Sequence, residues 1–203
     1  MATTASQPAA AAPRVEAWRT RDIVVTAIIG VVFGVVFQLW NLVAGATSGL
    51  FTAFPPAQNL LYGVWLMPAV LAPLIVRKPG AALFAELVAA GLSVFIGSQY
   101  GADAMLSGLV QGAAAELVFL VFRYRVWSMP VLALAAAASA TAAWAHDWIV
   151  WYPTNGLDVQ VWFWACAVVS AVVITAGGSV ALVNALRPTG VLNGFPAGRQ
   201  TAG

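Results

Sequence analysis

All nine basic residues of this chain fall in four short segments: Arg14, Arg19 and Arg21; Arg77 and Lys78; Arg123 and Arg125; Arg187 and Arg199. These alternate with segments near 45–58, 98–103 and 151–158 that hold no Lys or Arg but do contain Asp103 and Asp158. Between consecutive segments run six apolar stretches, 22–44, 59–76, 80–97, 104–122, 129–150 and 159–186. A bilayer core about 30 Å thick needs roughly 20 apolar residues per helical crossing, and basic residues in short loops are retained on the cytoplasmic side. An even number of crossings puts every basic segment on one face, whereas adding or removing one crossing scatters them. The pattern predicts an all-α integral membrane protein of the plasma membrane, with six transmembrane helices and both termini cytoplasmic. At 62% hydrophobic and 8% charged residues, with a mean hydropathy of +0.88, the composition excludes a soluble globular domain.

Pro68 and Pro73 in the second run, and the shortness of the third, predict crossings that are kinked, broken or re-entrant. Residues 1–17, rich in Pro and Ala, read as a disordered cytoplasmic tail ahead of a single helical domain over 18–199. The first run is too long for a signal peptide and reads as a retained helix. Lys78 is the only lysine and no GxxxxGK[ST] is present, so the chain cannot hold ATP in a P-loop. One Cys and one His exclude the common Cys-rich or multi-His metal sites, and no HExxH or nucleophile elbow accompanies His146. No enzyme activity, cofactor or nucleic-acid partner is expected.

Carboxylates inside the runs are the candidate functional groups, because an ionisable side chain in lipid is costly and usually turns toward the bundle interior or an aqueous cavity. Glu86 lies eight residues after Lys78 and Glu116 seven before Arg123, about 12 and 10 Å from the basic end, so the two could share a layer. Each has two readings, a ligand site or a scaffold hydrogen bond. No Lys or Arg lies within the runs or the opposite loops, so a ligand could supply the missing cation.

At the other end, Asp147 stands beside His146 in AWAHDWIVWYP, near Trp151, while Trp40, Tyr62 and Tyr100 come from other segments. Aromatic faces attract cations and stack on flat heterocycles, so acid plus aromatics fits a cationic aromatic ligand. Trp and Tyr also populate membrane interfaces whatever the protein does. Asn59, with Gln38, Asn41, Gln58 and Gln99, adds amides able to orient a heterocycle or cap helices. Gln111 pairs with Ser107 at i,i+4 and points about 140° away from Glu116. Two small-residue ladders, Thr26-Gly30-Gly34 and Ala104-Gly108-Gly112, allow close helix approach. Internal packing is one use; the first ladder could also receive a membrane partner.

AFPPAQNLLYGVWLMP, RKPGAALFAELVAA, LSGLVQGAAAELVFLVFRYR and TGVLNGFPAGR resemble the YkoE family, the substrate-binding (S) components of energy-coupling factor (ECF) ABC transporters for thiamine or its hydroxymethylpyrimidine moiety. The resemblance covers residues 18–199. It implies an S-component bundle that captures vitamin from outside and works with a transmembrane T component and a pair of ABC ATPases. Glu86, Gln111, Glu116, Tyr62 and Asp147 fall in matching segments, whereas Ser98, Tyr100 and His146 depart from the family pattern. On this basis Asp147 and one or both of Glu86 and Glu116 are expected to meet the thiazolium charge or the aminopyrimidine, with Trp40, Tyr62, Tyr100 and Trp151 stacking and Asn59 nearby. The alternative class is a stand-alone proton-coupled secondary transporter with Glu86 and Glu116 as its relay.

Overall fold

A computed structural model describes residues 17–198. Apart from Ala17, the expected tail lies outside the described residues, as do Arg14 and Arg199. Helix α1 (Thr20–Thr47) begins where the Asp22 carboxylate accepts the Arg19 N–H at 3.1 Å, an acid at the positive end of the helix dipole. Its outward face carries Ile28, Val31, Val32, Val35 and Leu39, all exposed, and its buried face carries Thr26, Gly30 and Gly34. Apolar outside and small or polar inside is the arrangement lipid selects.

The second run is broken. Pro55–Val64 is a 3₁₀ helix and only Met67–Val76 is α-helical (α2). The break falls at Trp65-Leu66, ahead of Pro68, which sits in the first turn of α2 where its missing N–H is not needed. Ten residues of 3₁₀ helix far exceed the usual 3–4, and in lipid every freed backbone group needs a partner. The sixth run supplies them. Ser170 Oγ accepts the Gly63 N–H at 2.9 Å and donates to the Leu60 carbonyl at 2.6 Å, and Thr175 Oγ1 donates to the Gly63 carbonyl at 2.6 Å. Those hydroxyls lie at the junction of α6 (Leu157–Ser170) with a π-helical segment, Ala171–Gly177, which leads into α7 (Gly178–Leu186). The sequence pattern contains no signal for this π segment.

Helices α3 (Ala81–Phe95), α4 (Asp103–Val121) and α5 (Met129–Val150) complete the bundle. Five helical stretches are long and apolar enough to cross a bilayer, and α3, with 15 residues, is a shorter apolar helix of about 22 Å. Both small-residue ladders are spent on α3. A Cβ at Gly30 or Gly34 would meet Val88 or Leu92, and one at Gly108 or Gly112 would meet Ala90 or Leu83, so α3 is clasped between α1 and α4. The first ladder is therefore filled from within and is not open to a docking partner.

The ends carrying basic residues converge. Lys78 pairs with Asp22 at 3.9 Å, Arg77 lies over the Trp127 ring, Arg21 over Phe195, and Arg187 Nε donates to the Ala197 carbonyl. Glu116 belongs to this end. Its carboxylate accepts Gly80 N–H at 2.6 Å, Ala82 N–H at 3.0 Å and the Tyr124 hydroxyl at 2.6 Å, which caps the first turn of α3 from a neighbouring helix. Burial, reinforced by the Glu116 hydrogen bond and charge, pushes the Tyr124 phenol well above its ordinary range, so it remains a donor.

Candidate ligand-binding site

The half of the bundle opposite the basic end encloses a cavity of about 190 Å³, against the roughly 10–15 Å³ that one water needs on the same measure. It reaches the surface beside Tyr100 and Trp151, both exposed. Its position follows from the broken second run. The 3₁₀ helix turns Gln58, Asn59 and Tyr62 onto the wall, and the interruption leaves the N-terminus of α2 inside the bundle.

Glu86 meets that N-terminus. Its side chain is 1% exposed, and Oε2 accepts the Ala69 N–H, a first-turn donor of α2, at 3.0 Å. A helix N-terminus favours negative charge, which tempers the expectation that the buried acids lack any compensation. Asp147 is held differently. Oδ2 accepts the Tyr62 hydroxyl at 2.8 Å and Oδ1 lies 3.0 Å from His146 Nδ1. His146 Nε2 is 3.1 Å from Asp103 Oδ1, and Asp103 Oδ2 accepts the Trp151 indole N–H at 3.0 Å. A continuous polar row thus crosses the mouth from Tyr62 to Trp151.

Around these acids the wall is aromatic. Tyr62 meets Trp65 edge-on with centroids 5.6 Å apart, and Tyr100 meets Trp151 at 5.9 Å. Trp65 Nε1 donates to Asn41 Oδ1 at 3.0 Å, fixing that ring. Burial raises the phenols of Tyr100 and Tyr152 above their ordinary value, so both are neutral donors at the mouth. Among the described residues that line the cavity none is Lys or Arg, whereas Glu86, Asp103 and Asp147 all do. Carboxylates at both ends and aromatic faces between them suit a flat, cationic heterocycle with hydrogen-bond donors.

Of the residues expected at a site, Asp147, Glu86, Tyr62, Asn59, Tyr100 and Trp151 come together on this wall. Glu116 and Trp40 do not. Glu116 caps α3, and it does not share a layer with Glu86, which packs against Gly112, about 6 Å farther along α4. The Trp40 indole donates to the Leu61 carbonyl at 2.9 Å and so braces the 3₁₀ helix from outside the cavity. Asp103 and the supporting His146 were missed as partners of Asp147. Their signal is the polar stripe Asp103-Ser107-Gln111, one face of α4 at i,i+4 spacing, all three on the wall.

Residues 21–143 match the family model described as ABC-type cobalt transport system, permease component. The chain is 33% identical over 186 residues, 91% of its length and 92% of the relative's, to "Putative HMP/thiamine permease protein YkoE" of Bacillus subtilis (strain 168). The solved structure titled "Crystal structure of an S-component of ECF transporter" superposes with a TM-score of 0.85 at 33% identity, covering 90% of this chain and 92% of that one. The chain belongs to the ECF transporter S-component family that includes YkoE. S components are transporter subunits and not enzymes. In this S component the polar cavity and the basic end occupy opposite ends of one helical bundle.

Proposed function

We propose that this S component captures thiamine, or its hydroxymethylpyrimidine moiety, from outside the cell and delivers it inward with a transmembrane T component and a pair of ABC ATPases. The chain crosses the plasma membrane six times, α3 being the short third crossing, with both termini cytoplasmic. Its transmembrane domain covers 18–199 and follows a tail over 1–17. The charge pattern supports this orientation, since the described basic residues collect at the end away from the cavity. The name of the Bacillus relative supports the ligand class.

One observation carries the reading: a cavity with Asp147 and Asp103 at its mouth, Glu86 at its depth and aromatic rings between. The thiazolium cation sits near the mouth acids, and the aminopyrimidine donates to Glu86. A proton relay through Glu86 and Glu116 has less support, because Glu116 is committed to three donors at the α3 cap. With Trp65 and Trp151 on the wall, adding thiamine to the purified chain is expected to quench tryptophan fluorescence saturably. No quenching by either thiamine or hydroxymethylpyrimidine would overturn the ligand assignment.

A further inference from the structure

His146 is the only histidine in the chain, its side chain is 6% exposed, and it does not itself line the cavity. It stands behind the wall with one ring nitrogen on Asp147 of its own helix and the other on Asp103 of α4. The outer oxygens of both carboxylates are already engaged by Tyr62 and Trp151. A neutral imidazole carries one N–H, so it donates to only one of these carboxylates and turns a lone pair toward the other. Adding a proton makes both nitrogens donors and lowers the negative charge of the row by one. A cation entering the cavity relieves the same deficit from the other side.

We infer that His146 is a positioning residue through which a proton and a cationic ligand compete for the Asp103–Asp147 pair, so that ligand binding expels a proton. The inference rests on the reading of the cavity as a site for a cationic vitamin. The titratable groups around the ring are few. Asp147 is on its own helix, Asp103 on α4, Tyr62 on the 3₁₀ helix, and Tyr100 and Tyr152 flank the mouth. Packed against α5, α6 contributes Asp158, which is exposed, and Cys166, while Glu86 lies deeper in the cavity. The described basic residues are at the other end of the bundle, so none substitutes for the imidazolium.

Linkage makes the coupling reciprocal. A proton that reduces cation affinity is released when the cation binds, so affinity falls as pH falls. Calorimetric titration of the full chain in detergent with thiamine, between pH 6 and 8 and in buffers of different ionisation enthalpy, reads both quantities. For the native chain, affinity is expected to weaken toward acid by up to about tenfold per pH unit, with a fraction of a proton released per thiamine. His146→Gln, which keeps an amide to bridge the carboxylates but cannot titrate, is expected to bind with a flat profile and no release. A native chain without pH dependence, or the same slope in His146→Gln, overturns the inference. Should His146→Gln fail to fold, Asp103→Asn keeps the ring and removes half of the bridge, and its slope is expected to shrink; an unchanged slope counts against the proposal. A ligand-free arm separates this inference from the vitamin reading. Ring ¹⁵N signals of the sole histidine are expected to move in Asp103→Asn whether or not thiamine binds. Moved signals with no thiamine binding at any pH sink the ligand assignment and leave the bridge standing, whereas unmoved signals sink the bridge.

Discussion

Replacing Asp147 with asparagine is expected to weaken thiamine binding about 10- to 100-fold, the equivalent of losing one charge-assisted contact worth roughly 1.5–3 kcal/mol. The substitution is nearly isosteric. An asparagine carbonyl still accepts the Tyr62 hydroxyl that now lies 2.8 Å from Asp147, so the 3₁₀ helix and α5 keep their connection. What disappears is the negative charge on a wall that holds no Lys or Arg among its described residues. Hydroxymethylpyrimidine, which lacks the thiazolium cation, is expected to lose much less. Equilibrium binding of both ligands to the native and variant chains measures this. Equal losses for the two ligands, or undiminished thiamine affinity, would remove Asp147 from the cation site.

Gly63→Val is expected to destabilise the bundle by about 3 kcal/mol, at the upper end of the usual cost of overpacking. A Cβ at this position would lie 2.6 Å from the Ser170 carbonyl oxygen and 2.8 Å from Ile174 Cβ, and the valine methyls need still more room. The same approach allows Ser170 Oγ and Thr175 Oγ1 to satisfy the Gly63 N–H and carbonyl, so pushing the segments apart strands backbone groups in an apolar surround. Gly45→Ala is the control, because nothing lies within 4 Å of a Cβ there, on the last turns of α1. Thermal unfolding in detergent is expected to show a marked loss for Gly63→Val and little change or a small gain for Gly45→Ala. Native-like melting of Gly63→Val would mean that the 3₁₀ and π segments do not pack as described.

The helical runs and the gathering of basic residues were legible in the sequence because both follow from one rule of partitioning between lipid and water, and α1, α4 and α5 lie within three residues of the runs read there. The shape of the second and sixth runs was only half legible. Pro68 announced a disturbance, but the break sits upstream of it, where hydroxyls of Ser170 and Thr175 more than a hundred residues away support the 3₁₀ turn. No local pattern encodes a partner at that distance. Glu86 and Glu116 illustrate the same limit at the level of single side chains. Similar depth and identical chemistry gave them one expectation, yet Glu86 faces the cavity and Glu116 caps α3. Depth along a helix is readable from spacing, but the direction a side chain faces depends on which helices pack around it. A lone His146 carries no catalytic or metal-binding motif in the sequence. Its place between two carboxylates requires α4 and α5 to be adjacent, which the sequence does not state.

In the proposed reading the vitamin sits in the acid-and-aromatic cavity. An experimental structure of the purified chain with thiamine tests it most directly. Density is expected for one ligand filling the cavity, with its cationic ring beside Asp147 and Trp151 and its aminopyrimidine within hydrogen-bond reach of Glu86. An empty cavity with thiamine bound elsewhere, or one occupied by a lipid tail at saturating thiamine, would contradict it.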